Sequence, residues 1–208
     1  MNFIKTSLLI SSVNAWNGWW DQFKWGSCWW INPDIKPTPM QNFEANRYAG
    51  TWFEIQRSRE IYFETPGVIE CTTATYTIDP WNILYPITVN NRCYNMDTGK
   101  IFDGVSDDGW NIVSRARFDP LFGTGHGYVQ FIFYPEGNYM VLDTDYDNYA
   151  IIYGCDDWFF GLVHMENSWL LNRERNSANI AQYKQLATET FTQKVPGYDW
   201  DNLKVDTD

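Results

Sequence analysis

Eight short segments rich in β-branched and aromatic residues, with turn signals standing between them, constrain this chain more than any other feature. They span 51–57, 72–78, 83–94, 110–118, 128–134, 139–144, 149–155 and 165–173. Between them stand Asp79-Pro80, Asp97-Thr98-Gly99, Asp107-Asp108-Gly109, Asp119-Pro120, Glu136-Gly137-Asn138 and Asp147-Asn148, which favour reversals. Eight strands with short connections predict an all-β fold, an up-and-down antiparallel barrel or a sandwich. A barrel of eight strands is just wide enough to be filled by side chains or to hold one small ligand. The period then changes. After Ser177, a suitable N-cap, Ile180, Tyr183, Leu186, Ala187 and Phe191 recur at three-to-four spacing, which predicts one amphipathic helix over 178–192. Its apolar face needs a wall, and the outside of the sheet supplies it.

The ends of the chain read differently. One Lys and a short apolar run, Leu8-Leu9-Ile10, ending at Val13-Asn14-Ala15, predict a signal peptide over 1–15 and a secreted or lumenal protein. Residues 16–41 form a leader with six Trp between positions 16 and 30, then Pro33, Pro37 and Pro39. Such a segment must pack on the domain or meet a protein partner. A domain over 42–195 follows, and 196–208 reads as a loose acidic tail.

A formal charge of −11 argues against nucleic acid as a partner, since phosphates repel an acidic surface. Aromatic residues make up 18% of the chain, which fits either a core of large rings or a cavity lined by them. Cys28, Cys71, Cys93 and Cys155 form no Cys-x-x-Cys pair, and His126 and His164 stand far from any metal-ligand spacing, so no metal or cofactor is expected. An even cysteine count behind a signal peptide favours two disulfides.

Asn46-Arg47-Tyr48-Ala49-Gly50-Thr51-Trp52-Phe53-Glu54-Ile55-Gln56-Arg57 resembles the first lipocalin signature, built on Gly-x-Trp. Thr144-Asp145-Tyr146 resembles the second, a turn between neighbouring strands, and Arg173 on the last strand resembles the third. Tyr-Asp-Asn-Tyr-Ala followed by Ile-Ile-Tyr-Gly-Cys is similar to the apolipoprotein D and insect bilin-binding branch. The resemblance implies an eight-stranded antiparallel up-and-down lipocalin barrel with one C-terminal α-helix packed outside. It also implies that Trp52 plugs one end with Arg173 across its indole, a cation–π contact. Gly50, Trp52, Asp145, Tyr146 and Arg173 are thus structural residues. In that branch a cysteine before the first strand pairs with one ending the seventh, here Cys28 with Cys155. Cys71 matches a family cysteine whose usual partner lies in a C-terminal tail, and this tail has none. Cys71 and Cys93 each lie eleven residues from Asn82, the centre of a proposed hairpin turn, so register and elimination predict a Cys71–Cys93 bond.

Strand alternation names the candidate pocket. With Cys71 and Cys155 pointing outward, Thr72, Ala74, Tyr76 and Ile78 point in. Val129, Phe131 and Phe133 form the more apolar face of the fifth strand. Tyr139 and Val141 share one parity on the sixth, and Trp169 shares parity with Arg173 on the last. Tyr76 and Trp169 also match pocket positions of apolipoprotein D-like lipocalins.

Other signals carry less. Asp143, Asp145 and Asp147 alternate as in a calcium loop, but Asn148 stands where Gly is needed and Gly154 where Glu is, so they read as turn residues. Gly123-Thr124-Gly125-His126-Gly127 reads as a flexible connection at the barrel rim. Glu54, Glu60, Glu64 and Glu70 read as a solvated edge rather than acid–base groups. The expected function is an extracellular carrier of a small apolar ligand, such as a bilin, carotenoid, retinoid, sterol or fatty acid. The alternative is a structural subunit anchored through residues 16–30. An isomerase using a cysteine nucleophile would need a free thiol, and the expected pairings leave none.

Overall fold

The computed structural model describes residues 23–28, 36–58, 69–95, 101–102, 113–118, 123–130 and 136–206. In chain order the elements are β1 (Lys24–Trp25), α1 (Ala45–Tyr48), β2 (Gly50–Ser58), β3 (Ile69–Ile78), β4 (Ile87–Asn95) and β5 (Ile101–Phe102). Then follow β6 (Val113–Phe118), β7 (His126–Gln130), β8 (Gly137–Thr144), β9 (Tyr149–Trp158) and β10 (Val163–Asn172). Helix α2 (Ile180–Lys194), the short α3 (Trp200–Leu203) and β11 (Lys204–Asp206) end the fold.

Each strand pairs antiparallel with its neighbour in the order β2-β3-β4-β6-β7-β8-β9-β10, and β10 returns to β2. The eight strands therefore close into a barrel, which leaves no free edge among them. β1 adds outside on β10, β11 on β2 and β5 on β4. The registers set Gly50, Ile78, Phe118, Thr144 and Asn172 toward one end, and Ser58, Ile69, Gly137, Trp158 and Val163 toward the other.

Two apolar clusters share the same strands. Ala150 and Ile152 point into the barrel, while Ile151 and Tyr153 point out beneath α2, and all four are buried. That is why β9 reads as a continuous apolar run rather than an alternating one. On α2 the buried residues are Tyr183, Ala187, Thr190 and Phe191, one face of a helix laid on the barrel wall. The helix begins at Ile180, two residues later than the apolar period suggested, because Ser177 closes a turn first: its carbonyl accepts the Ile180 N–H and its hydroxyl the Asn179 N–H.

Several expectations are corrected. The third strand starts at Ile87 rather than 83, because the Asp79 N–H donates to the Pro86 carbonyl and Asn82 Oδ1 accepts the Tyr85 N–H, folding 79–86 into the turn. The 123–127 connection lies at the Gly50 end and is pinned. The Gly125 N–H donates to the Met40 carbonyl at 2.8 Å, and its carbonyl accepts the Val141 N–H at 2.8 Å. The acidic tail is not loose: Tyr198 and Trp200 are buried, Trp200 stacks on Phe191, and β11 pairs with β2. The leader also joins the domain, through β1 and through the bridge from Gln41 to Thr124. Residues 1–22 and 29–35, with the expected signal peptide and five of the six leader Trp, lie outside the described residues.

Candidate functional site

The site begins with its floor. Trp52 is fully buried, and its indole N–H donates to the Tyr48 carbonyl at 2.8 Å. The Arg173 guanidinium lies 3.6 Å from the centre of its ring. The same guanidinium donates to the carbonyls of Arg47, Tyr48, Ala49, Thr51 and Tyr146. One cation thus gathers the carbonyls of α1, the entry to β2 and the β8–β9 turn. Gly50 makes room for it: its φ is +102°, and a Cβ there would meet Arg173 Nη1 at 3.0 Å. Asp145 is occupied as a turn residue, its Oδ1 accepting the backbone N–H groups of Asp147, Asn148 and Tyr149. The five signature residues therefore seal one end of the barrel.

Above this plug the Tyr139 hydroxyl bonds the Tyr48 hydroxyl at 2.7 Å and the Tyr76 hydroxyl at 2.8 Å. All three are buried, and burial raises each hydroxyl above its ordinary pKa, Tyr76 to about 12. They remain protonated, a polar knot tying α1, β3 and β8 inside an otherwise apolar layer.

A cavity of about 100 Å³ opens above the knot. Tyr76, Val89, Val129, Tyr139, Trp169 and Leu171 give it an apolar and aromatic wall. Ala74 also lines it, so Ala74, Tyr76, Val129, Tyr139 and Trp169 stand where strand alternation placed them. Val141 does not. It is fully buried in the packed layer that includes Trp52, at a register shift in the β8–β9 ladder, and it falls below the cavity. Phe131, Phe133 and the side chain of Thr72 lie outside the described residues.

The polar lining was not expected. Glu54, assigned to a solvated edge, is buried and lines the cavity, with Arg57 Nε 3.7 Å from its carboxylate. Asp156, Asn138 and Asn167 contribute from β9, β8 and β10, and Asn91 and Ser114 from β4 and β6. Burial pushes the Asp156 carboxyl up to about 6, against the hydrogen bonds from the Asn138 backbone and side chain. Its inward direction was available from parity: with Cys155 outward in its bridge, Gly154 and Asp156 must face in.

The Cys28–Cys155 bond joins the segment that follows β1 to β9, with Cα atoms 5.9 Å apart. The Ser27 hydroxyl and the Cys28 N–H both donate to Asp157 at 2.7 Å and hold the same segment. Cys71 and Cys93 face each other in the β3–β4 ladder, and their side chains lie outside the described residues.

Residues 49–195 match the model of the Lipocalin / cytosolic fatty-acid binding protein family. The Lazarillo protein of Schistocerca americana is 34% identical over 145 residues, which cover 69% of this chain and 61% of that protein. Apolipoprotein D of Cavia porcellus is 28% identical over 155 residues, covering 74% of this chain and 69% of that one. The chain therefore spans a little under two thirds of the length of the first of these relatives. Among solved structures, insecticyanin from the tobacco hornworm Manduca sexta superposes with a TM-score of 0.62 at 22% identity, covering 89% of this chain and 88% of that one.

Proposed function

This chain belongs to the lipocalin family, near the apolipoprotein D and insect bilin-binding branch, and we propose that it is an extracellular carrier of a small hydrophobic ligand held in the barrel cavity. The observation that supports this most is the cavity above the Tyr48–Tyr139–Tyr76 knot, sealed below by Trp52 and Arg173. Ring faces of Tyr76, Tyr139 and Trp169 would bury an apolar ligand, and polar groups around them would orient it. Secretion is supported by the Cys28–Cys155 bond, of a kind that persists in oxidising compartments, and by the apolar run Leu8-Leu9-Ile10. Carriage needs no covalent step, so this is a binding protein rather than an enzyme.

Native mass spectrometry of protein purified from its natural source tests the reading. A bound small hydrophobic molecule is expected. Protein that emerges empty, and then ignores a panel of bilin, carotenoid, retinoid, sterol and fatty acid, overturns it.

A further inference from the structure

The cavity described above is not the wall of a simple oil drop. Its lining carries two carboxylates, Glu54 and Asp156, and among the described residues no Lys, Arg or His lines it. Glu54 has Arg57 Nε 3.7 Å away, outside the lining, so its charge is largely balanced. Among the described residues Asp156 has no such cation. The hydrogen bonds it accepts, from the Asn138 backbone N–H at 2.7 Å and the Asn138 side chain at 3.5 Å, both arrive at Oδ1. Oδ2 is left without a donor among the described residues. A second, independent sign stands on β6. Ser114 is fully buried, lines the same cavity, and its hydroxyl has no hydrogen-bond partner among the described residues. A buried hydroxyl left unmet is costly, and a ligand that meets it while pairing its own charge with the Asp156 carboxylate recovers that cost.

We propose that the cavity takes an amphiphile ending in a protonated amine, its ammonium held by Asp156 with Ser114 as a neutral partner, and its apolar body laid against Trp169 and Tyr76. The proposal rests on the carrier reading above and narrows it from apolar molecules in general to cationic ones. An ammonium has three hydrogens to place, and the lining offers a carboxylate oxygen, an unmet hydroxyl and the side-chain amide of Asn167. Aromatic faces beside it favour a cation again through their quadrupoles. A ligand ending in a carboxylate meets the opposite field: two acidic groups and no lining cation. The formal charge of −11 draws cations toward the protein as a whole.

Octylamine, octanol and octanoate share one apolar chain and differ in their end group, so calorimetric titration of the full chain with each at pH 7.5 separates the two levels of the argument. Octylamine is expected to bind at least tenfold tighter than octanol, and octanoate weaker than either. In Asp156→Asn the amine should lose that advantage while octanol binding is unchanged. Asp156→Glu should keep the advantage, and Ser114→Ala should weaken the amine severalfold; circular dichroism verifies that each variant folds. Octanoate binding as tightly as octylamine, or an amine preference that survives Asp156→Asn, overturns the proposal and leaves the carrier reading standing. If none of the three binds, the proposal falls, and the native mass spectrometry with its ligand panel decides the carrier reading separately.

Discussion

The Arg173 guanidinium stacks on the Trp52 indole 3.6 Å from its centre, and the same cation collects carbonyls from both α1 and the β8–β9 turn. One side chain thus closes the barrel by two mechanisms at once, a cation–π contact and charge-assisted hydrogen bonds. Trp52→Ala should cost about 3–5 kcal/mol, as for other buried aromatic truncations. Arg173→Ala should cost about 3 kcal/mol, since several carbonyls lose their donor. Arg173→Lys should fall between wild type and Ala, because an ammonium cannot reproduce the planar fork. Urea unfolding measures all three, and ligand affinity should change much less than stability in variants that still fold.

The hydroxyl of Tyr139 is the centre of the knot beneath the cavity. Tyr139→Phe leaves the ring and strands the Tyr48 and Tyr76 hydroxyls in a buried layer. A loss of about 1–3 kcal/mol is expected, set by desolvated groups without partners. Tyr76→Phe removes an end of the chain rather than its middle and should cost less. Chemical unfolding of the two variants side by side gives the ordering.

Asp156 makes stability depend on pH in a definite direction. Its folded pKa of about 6 lies above the usual carboxylate value, because burial disfavours the charge and Asp157 beside it repels. Asn138 opposes this by donating to it, His126 Nε2 lies 3.1 Å from the Asn138 Oδ1, and Glu54 shares the cavity lining. A raised acid pKa means that the folded state holds its proton longer than the unfolded chain does. The contribution is fully present below pH about 4 and is lost as pH rises through about 6. Asp156→Asn should therefore raise the melting temperature at pH 7.5 and leave it nearly unchanged at pH 4. A melting series from pH 4 to 8 that showed no such divergence would contradict the assignment.

Reducing the Cys28–Cys155 bond should lower stability by about 2–5 kcal/mol, since it closes a long loop in the unfolded chain. Non-reducing peptide mapping should recover that pair and, from the register of β3 with β4, a Cys71–Cys93 pair. A peptide joining Cys28 to Cys71 would refute the second assignment.

The C-terminal segment belongs to the fold. Trp200 is buried and stacks on Phe191 with ring centres 4.5 Å apart, so Trp200→Ala should cost about 3–5 kcal/mol. Truncation before Tyr198 should expose Phe191 on the buried face of α2 and cost at least as much. Thermal unfolding of the truncated chain measures it.

The sequence by itself determined the strands and the helix, and its resemblance to the lipocalin signatures chose a barrel over a sandwich and named the Trp52–Arg173 plug. Period-two segments and turn residues are local signals, and the Gly50, Trp52 and Arg173 motifs are read directly from the chain. Five of the pocket positions, Ala74, Tyr76, Val129, Tyr139 and Trp169, followed from alternation because a strand's faces repeat every second residue. The Cys71–Cys93 register came out as counted for a reason no local pattern shows. From Thr73 to Ile78 the ladder runs one residue off a hairpin symmetric about Asn82, and the irregularity between Cys71 and Thr73 restores the match. What only the tertiary structure decided was depth and company. Val141 has the parity of a pocket residue but lies below the cavity, and Glu54 has the look of a surface acid but lies within it. Parity gives a side chain's direction, whereas its height along the barrel depends on strand tilt and on how neighbouring ladders slip. That difference set Asp156 and Ser114 around one space, and no spacing along the chain brings residues from β9 and β6 together.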